Sequence, residues 1–237
     1  MTLNNQRILI VGGSSGMGLA AAQLLASAGA EVLIAGRSQQ KLAAAMSSIE
    51  GKASAHPVDF SDESSLAKLF SAVGNIDHLV LAASTQAAWG PFASVSPDAL
   101  RKALEGKLIG YWSTIQAALP VLRRDGSIVL LTGGASRTAM PGTAGLAAVN
   151  GAITQMAQTL AKELAPLRVN VVSPGLVDTP AYDGLPAAAK AAMFEDAASR
   201  LPVGRTGLPS DIASAILFLI DNTFTTGALL DVDGGAR

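Results

Sequence analysis

The sequence predicts one doubly wound α/β domain: a parallel, seven-stranded sheet with helices on both faces. Three observations carry this. Seven apolar, strand-like runs recur along the 237 residues, helical patterns lie between most of them, and no linker, repeat or low-complexity stretch divides the chain. Strands that alternate with helices are joined by crossovers, which lay the helices on the faces of a parallel sheet. The length suits a single unit of this class, because such domains run past the ~150-residue mode.

The elements follow in order. The first strand, over 7–11, is an apolar run of the kind buried on both faces. It enters Gly12-Gly13-Ser14-Ser15-Gly16-Met17-Gly18, and a helix of small and apolar residues follows over 19–28. Next come a strand over 31–35, a helix over 39–49, a strand over 53–58 and a helix over 63–72. A strand over 76–82, a helix over 107–122 and a strand over 127–131 continue the alternation. In the helix expected over 146–164, Leu146, Val149, Ile153, Met156 and Leu160 form one stripe at helical spacing. After a strand over 168–172, Pro174, Gly175, Pro180, Gly184 and Pro186 mark a loop, and a short helix is expected over 187–200. The span 176–205 reads as a substrate lid. A helix over 211–220 and a strand over 228–232 complete the pattern. Ligands of open parallel sheets sit beyond the carboxyl ends of the strands, so functional residues are expected in 12–18, 36–38, 83–90, 132–141 and 173–185.

Composition narrows the function. Hydrophobic residues make up 49% and charged residues 15%, which implies a large core or an extensive subunit interface. A net charge of −1 gives no electrostatic footprint for nucleic acid or an anionic membrane. The absence of cysteine excludes disulfides, thiolate catalysis and Fe–S ligation, and fits a reducing cytoplasm. His56 and His78 are isolated and read as preceding strands, so no metal site is expected. Residues 1–6 are too short and polar for a signal peptide. No charge falls between Arg137 and Lys162, but Pro141, Gly142, Gly145, Asn150, Gly151, Gln155 and Gln158 argue against a membrane span. A helix apolar on most sides is instead expected to bury itself against a second subunit.

The glycine-rich loop carries the first chemistry. Glycines at 12, 16 and 18 let the backbone turn sharply and keep side chains away from a pyrophosphate, while helix N–H groups and the positive helix end face the phosphates. An ordinary tight βα turn is the bland alternative.

With these residues in view, the chain resembles the short-chain dehydrogenase/reductase family along nearly its whole length, which implies a Rossmann fold. The loop Gly12–Gly18 is similar to the family's TGxxxGxG pattern, with Val11 in place of its threonine. Asp59, in Pro57-Val58-Asp59-Phe60, resembles the aspartate beside the adenine. The run Asn170-Val-Val-Ser-Pro-Gly-Leu-Val-Asp-Thr-Pro180 resembles the PG segment that contacts nicotinamide. Gly204-Arg205 and Val232-Asp233-Gly234-Gly235 resemble C-terminal signatures. The resemblance implies a dinucleotide held by Gly12, Ser14, Ser15, Gly16, Met17, Gly18, Arg37, Asp59, Phe60, Ala82, Ala83, Asn150, Pro174, Gly175, Val177 and Thr179. It also implies a homodimer or homotetramer packed through the helices at 107–122 and 146–161. Gly36 stands where NAD-preferring relatives carry aspartate, and Arg37 follows it. A guanidinium fork suits a 2′-phosphate, so NADP(H) is favoured over NAD(H); a solvated arginine is the alternative.

The family's catalytic pattern departs here. Its main branch uses Asn, Ser and Tyr-x-x-x-Lys. Aligned on residues 126–129 and 168–170, Leu146 falls at the tyrosine, Asn150 at the lysine, Gly133 at the serine and Lys107 at the asparagine. No tyrosine lies between Trp112 and Tyr182. Lysine and asparagine have exchanged positions, which suggests a Lys107–Asn150 hydrogen bond beside the cofactor ribose; a Lys107 extended into solvent is the alternative. Arg137 and Ser136 on the loop after residue 132 and Tyr182 in the expected lid are further catalytic candidates, Arg137 to bind a carboxylate or polarise a carbonyl, with a surface salt bridge as its alternative. Tyr111 is expected on the face of Lys107, and Trp89 and Trp112 are candidate pocket walls, with core packing as the alternative. The expectation is an NADP(H)-dependent oxidoreductase with a non-standard proton source, acting on a small carbonyl, imine or activated alkene. A nucleotide-binding protein without redox turnover, serving as a sensor or a non-redox enzyme, is the rival.

Overall fold

A computed structural model describes residues 3–85 and 87–236. Its sheet is parallel throughout, in the order β3-β2-β1-β4-β5-β6-β7. The strands are β1 (Arg7–Val11), β2 (Glu31–Gly36), β3 (Ala53–Pro57), β4 (Ile76–Leu81), β5 (Leu122–Leu131), β6 (Arg168–Pro174) and β7 (Leu229–Val232). The order reverses between β1 and β4, so the switch point lies beyond the ends of these two strands.

Helices cover both faces. On one side α1 (Gly16–Ser27), α2 (Gln39–Met46) and α8 (Pro209–Asp221) bury Leu25, Leu42, Ile216 and Leu219 against Ile10, Ile34 and Val129. On the other, α3 (Glu63–Val73), α4 (Pro97–Ala103), α5 (Gly110–Ala118) and α6 (Ala144–Glu163) bury Leu66, Ile115, Val149 and Ile153 against Leu9, Leu79 and Leu130. Successive strand residues thus feed the two cores alternately, as a pleated strand buried on both faces requires. The segment 176–205, expected as a lid, carries α7 (Ala187–Arg200), which has no buried residue.

Three expectations need correction. The helix expected over 107–122 begins at Pro97, because Ser96 Oγ accepts from Ala99 N and proline suits the first turn. It continues through a six-residue π-helical stretch, Leu104–Ile109, into α5 and ends at Ala118. Leu122 instead opens β5, which is longer at its start than expected because its charged residues 123–125 lie exposed beyond the core. Both histidines lie within strands, not before them. His78 is buried between Ser127 Oγ (2.8 Å) and Gln6 Oε1 (2.9 Å), and burial lowers its pKa to about 4, so it is a neutral core residue. Among the described residues no group of His, Cys, Asp and Glu is arranged to hold a metal, and no helix is long and apolar enough to cross a membrane.

Candidate active site

The loop between β1 and α1 turns on Gly12 (φ 87°) and Gly16 (φ 54°), the left-handed backbone that glycine adopts readily. Glycine at 12 and 18 also meets a packing demand. A Cβ on Gly12 would lie 2.8 Å from the carbonyl carbon of Ala82, and one on Gly18 would collide with the carbonyl oxygen of Gly12. These two glycines therefore let the loop fold against β4 and itself. Gly16 is the more open position: a Cβ there would meet only Thr179 and Pro180, at 3.4 Å or more. The glycine loop thus faces the segment that begins at Thr179 and Pro180.

Ser15 precedes α1 in extended conformation, and among the described residues neither a side-chain cap nor an acidic group occupies the helix's first turn. The uncapped N–H groups and the positive end of the helix dipole fit a pyrophosphate. Beside them, Ser14 Oγ lies 3.4 Å from where a Cβ on Gly36 would sit, so the hydroxyl stands against the residue that precedes Arg37. Arg37 is exposed at the mouth of a cavity of about 180 Å³ whose walls include Asp59, Phe60, Ser84 and Thr85. Hydrogen bonds from Ser61 Oγ (2.6 Å) and Ser61 N (3.0 Å) hold the Asp59 carboxyl below its usual range, and Arg37 adds to the effect. The Phe60 ring lies against Gly110 of α5.

The π-helical stretch turns Lys107 inward. Its side chain is buried, with Nζ donating to Asn150 Oδ1 at 2.9 Å and to the Thr132 carbonyl at 3.3 Å. Asn150 is buried too, on α6, and Thr132 ends the β5 run on the carboxyl edge of the sheet. The direct Lys107–Asn150 contact is the one suggested by their exchanged positions. Loss of hydration lowers the Lys107 pKa to about 8, because no carboxylate offsets the cost of burying the ammonium. Nζ lies 5.9 Å from the Tyr111 ring centroid, as their spacing on one helix face suggested. Tyr111 Oη donates within reach of the carbonyls of Leu81 (2.8 Å), Ala83 (2.9 Å) and Leu131 (3.2 Å), and burial pushes its pKa up. Gly133 completes the cluster: a Cβ there would lie 3.1 Å from Asn150 Nδ2. Any side chain at 133 would press on the asparagine that holds the lysine.

The glycine loop, the cavity at Arg37 and the buried lysine all lie along the carboxyl edge of a seven-stranded parallel sheet. A family model described as Enoyl-(Acyl carrier protein) reductase matches residues 11–237. The chain belongs to the short-chain dehydrogenase/reductase family. It is 32% identical over 257 residues to the 3-oxoacyl-(acyl-carrier-protein) reductase FabG of Thermotoga maritima, covering 99% of both chains. It is 35% identical to the granaticin polyketide synthase putative ketoacyl reductase 2 of Streptomyces violaceoruber, covering 97% of this chain and 95% of that one. A solved small-chain dehydrogenase in complex with NADPH superposes with a TM-score of 0.86 at 36% identity, covering 98% of this chain and 99% of that one.

Within this family member, the other candidates have partners of their own. Arg137 Nε lies 3.4 Å from Asp231 Oδ1 of β7, an ion pair. Ser136 Oγ donates to the Gly133 carbonyl at 3.1 Å and serves the loop's short 3₁₀ turn. Tyr182 packs edge-on against Phe194 of α7 at 5.5 Å between centroids, and its burial there raises its pKa. Val177 is buried against Gly207, so it offers a ligand only its backbone. Gly175 is kept small by Asp233, whose Cα would lie 2.7 Å from an added Cβ. Trp89 and Trp112 are both about half exposed, so neither is a core residue. The Thr132 carbonyl and Asp231 were missed in the sequence: a backbone acceptor leaves no side-chain signal, and Asp231 is brought to the site only by the pairing of β6 with β7.

Proposed function

We propose that the chain is an NADP(H)-dependent oxidoreductase acting on a small carbonyl, imine or activated alkene, with Lys107 as its proton source. The observation that carries this is the buried Lys107 amine bonded to Asn150 on the cofactor edge of the sheet. The relatives named as reductases, and the neighbour bound to NADPH, support the same reading.

The residues divide the work as follows. The 12–18 loop and the start of α1 hold the pyrophosphate. Ser14 and Arg37 take the 2′-phosphate, and Asp59 and Phe60 flank the adenine. Ala82, Ala83, Pro174, Gly175, Thr179 and the Val177 backbone frame the nicotinamide ribose and ring. NADPH, when bound, supplies the hydride. Asn150 Oδ1 and the Thr132 carbonyl orient the Lys107 ammonium, whose positive charge stabilises negative charge developing on the substrate heteroatom. With its pKa brought to about 8, Lys107 is protonated at neutral pH yet close enough to it to give the proton up. An imine or iminium acceptor asks least of this donor, because it carries or readily gains its own proton. General acid help of this kind is worth ~10²–10⁴ in rate.

A second reading, a nucleotide-binding protein without redox turnover, draws on the hydroxyls of Tyr111 and Ser136, which are committed to backbone carbonyls. Stopped-flow absorbance of bound NADPH against a panel of ketones, imines and activated alkenes separates the two. Oxidation by at least one class is expected. Retention of NADPH in the presence of every acceptor would leave the second reading standing.

The same helices that carry the site also suggest the assembly. A groove of about 440 Å³ runs between α5 and α6, walled by Trp112, Ile115, Met156, Leu160 and Leu164. A second copy of the chain is the proposed occupant, in a homodimer or homotetramer.

A further inference from the structure

The cavity at Arg37 has a second cation on its wall. Lys102, in the last turn of α4, lines it together with Arg37, Asp59, Ser61, Ser84 and Thr85. The space is about 180 Å³, well under the ~300 Å³ at which drug-sized ligand sites begin, so it suits one end of a nucleotide rather than a whole substrate. Its formal charge is positive, two cations against Asp59. The Asp59 carboxylate is also occupied, accepting from both Ser61 N and Ser61 Oγ. Among the described residues neither Arg37 nor Lys102 forms a salt bridge. Asp59 offsets one of the two cations, which leaves a net positive charge that an anion entering between them would balance.

We infer that Lys102 is a second specificity-determining cation for the 2′-phosphate, acting from across the cavity with Arg37. The inference rests on the NADP(H) reading and extends it to a residue on a different element. Arg37 follows β2, whereas Lys102 belongs to the helical rod that continues through Gly106, also on the cavity wall, to Lys107. A phosphate bridging the two therefore tethers the rod that carries the buried lysine. The ends of one continuous six-residue stretch, 102–107, would thus serve the adenosine and the reacting end of the same cofactor.

Equilibrium titrations test this without turnover. The ligands are 2′,5′-ADP, 5′-ADP, NADPH and NADH, each against the wild type, Lys102→Ala, Lys102→Arg and, as a surface control, Lys68→Ala. Wild type is expected to favour 2′,5′-ADP over 5′-ADP. Lys102→Ala is expected to weaken 2′,5′-ADP and NADPH by about tenfold, the scale of one charge-assisted contact, and leave 5′-ADP and NADH unchanged. Lys102→Arg should retain most of the affinity, and Lys68→Ala all of it. Equal affinity of the wild type for 2′,5′-ADP and 5′-ADP would overturn the NADP(H) reading itself. A preserved wild-type preference that survives in Lys102→Ala would overturn the role of Lys102 alone, as would an equal loss of NADPH and NADH binding.

Discussion

Lys107 gives up its hydration when the chain folds, and what it gains is a hydrogen bond to Asn150 and one to a backbone carbonyl. Neither partner carries a negative charge, so the folded protein disfavours the ammonium and the pKa falls from 10.5 to about 8. Between those values the unfolded chain binds a proton that the folded chain does not, so this residue's contribution to stability rises with pH across the window. The full rise is about 3 kcal/mol at 1.36 kcal/mol per pH unit. Denaturant titrations at pH 7 and pH 10 should therefore show a steeper gain for the wild type than for Lys107→Met; equal gains would mean that the amine is hydrated in the folded state. At this scale the sequence was informative about pairs and silent about partners. The exchange of lysine and asparagine relative to the family pattern pointed to the Lys107–Asn150 contact. Nothing local to Arg137 pointed to Asp231, since only the β6–β7 register brings them together.

Elements were legible where burial imposes a pattern. Strands buried on both faces must be apolar throughout, and β1 stands where its Arg7–Val11 run places it. The helix Ala187–Arg200 also matches its expected span. The start of α4 leaves no apolar periodicity to read, because this short helix buries only Ala103; its signal is the cap Ser96-Pro97-Asp98. The π-helical stretch that turns Lys107 inward has no period of its own to read. Arg168 is a buried charge that the strand pattern alone does not explain. It donates to the carbonyls of Leu219 (2.7 Å), Ile220 (2.8 Å) and Asn222 (2.9 Å), which are acceptors left over at the carboxyl end of α8. Arg168→Met keeps the aliphatic stem but strands these carbonyls, and should cost about 2–4 kcal/mol of unfolding free energy. Chemical denaturation reads this directly, and a loss below about 0.5 kcal/mol, the scale of an ordinary surface change, would contradict it.

The whole molecule joins a nucleotide-binding edge to an apolar flank through α5 and α6. Trp112 and Met156 wall the groove on the flank, while Lys107 and Asn150 lie on the site-facing side of the same helical layer. Assembly across that groove would therefore brace the elements that position the lysine. Met156→Glu places a charge in the groove and is expected to shift the protein to monomers in light scattering at micromolar concentration; a wild type that is itself monomeric would contradict the proposed assembly. The central claim is that the buried lysine supplies the charge and proton for reduction by NADPH. Single-turnover hydride transfer, followed by NADPH absorbance between pH 6 and 10 with the best acceptor of the panel, tests it most directly. The wild-type rate should fall as pH rises through about 8, where the ammonium is lost. In Lys107→Met, transfer should be slower by ~10²-fold or more and flat across that range, with NADPH affinity changed far less. A variant as fast as the wild type, or one that keeps the wild-type pH profile, would contradict the claim.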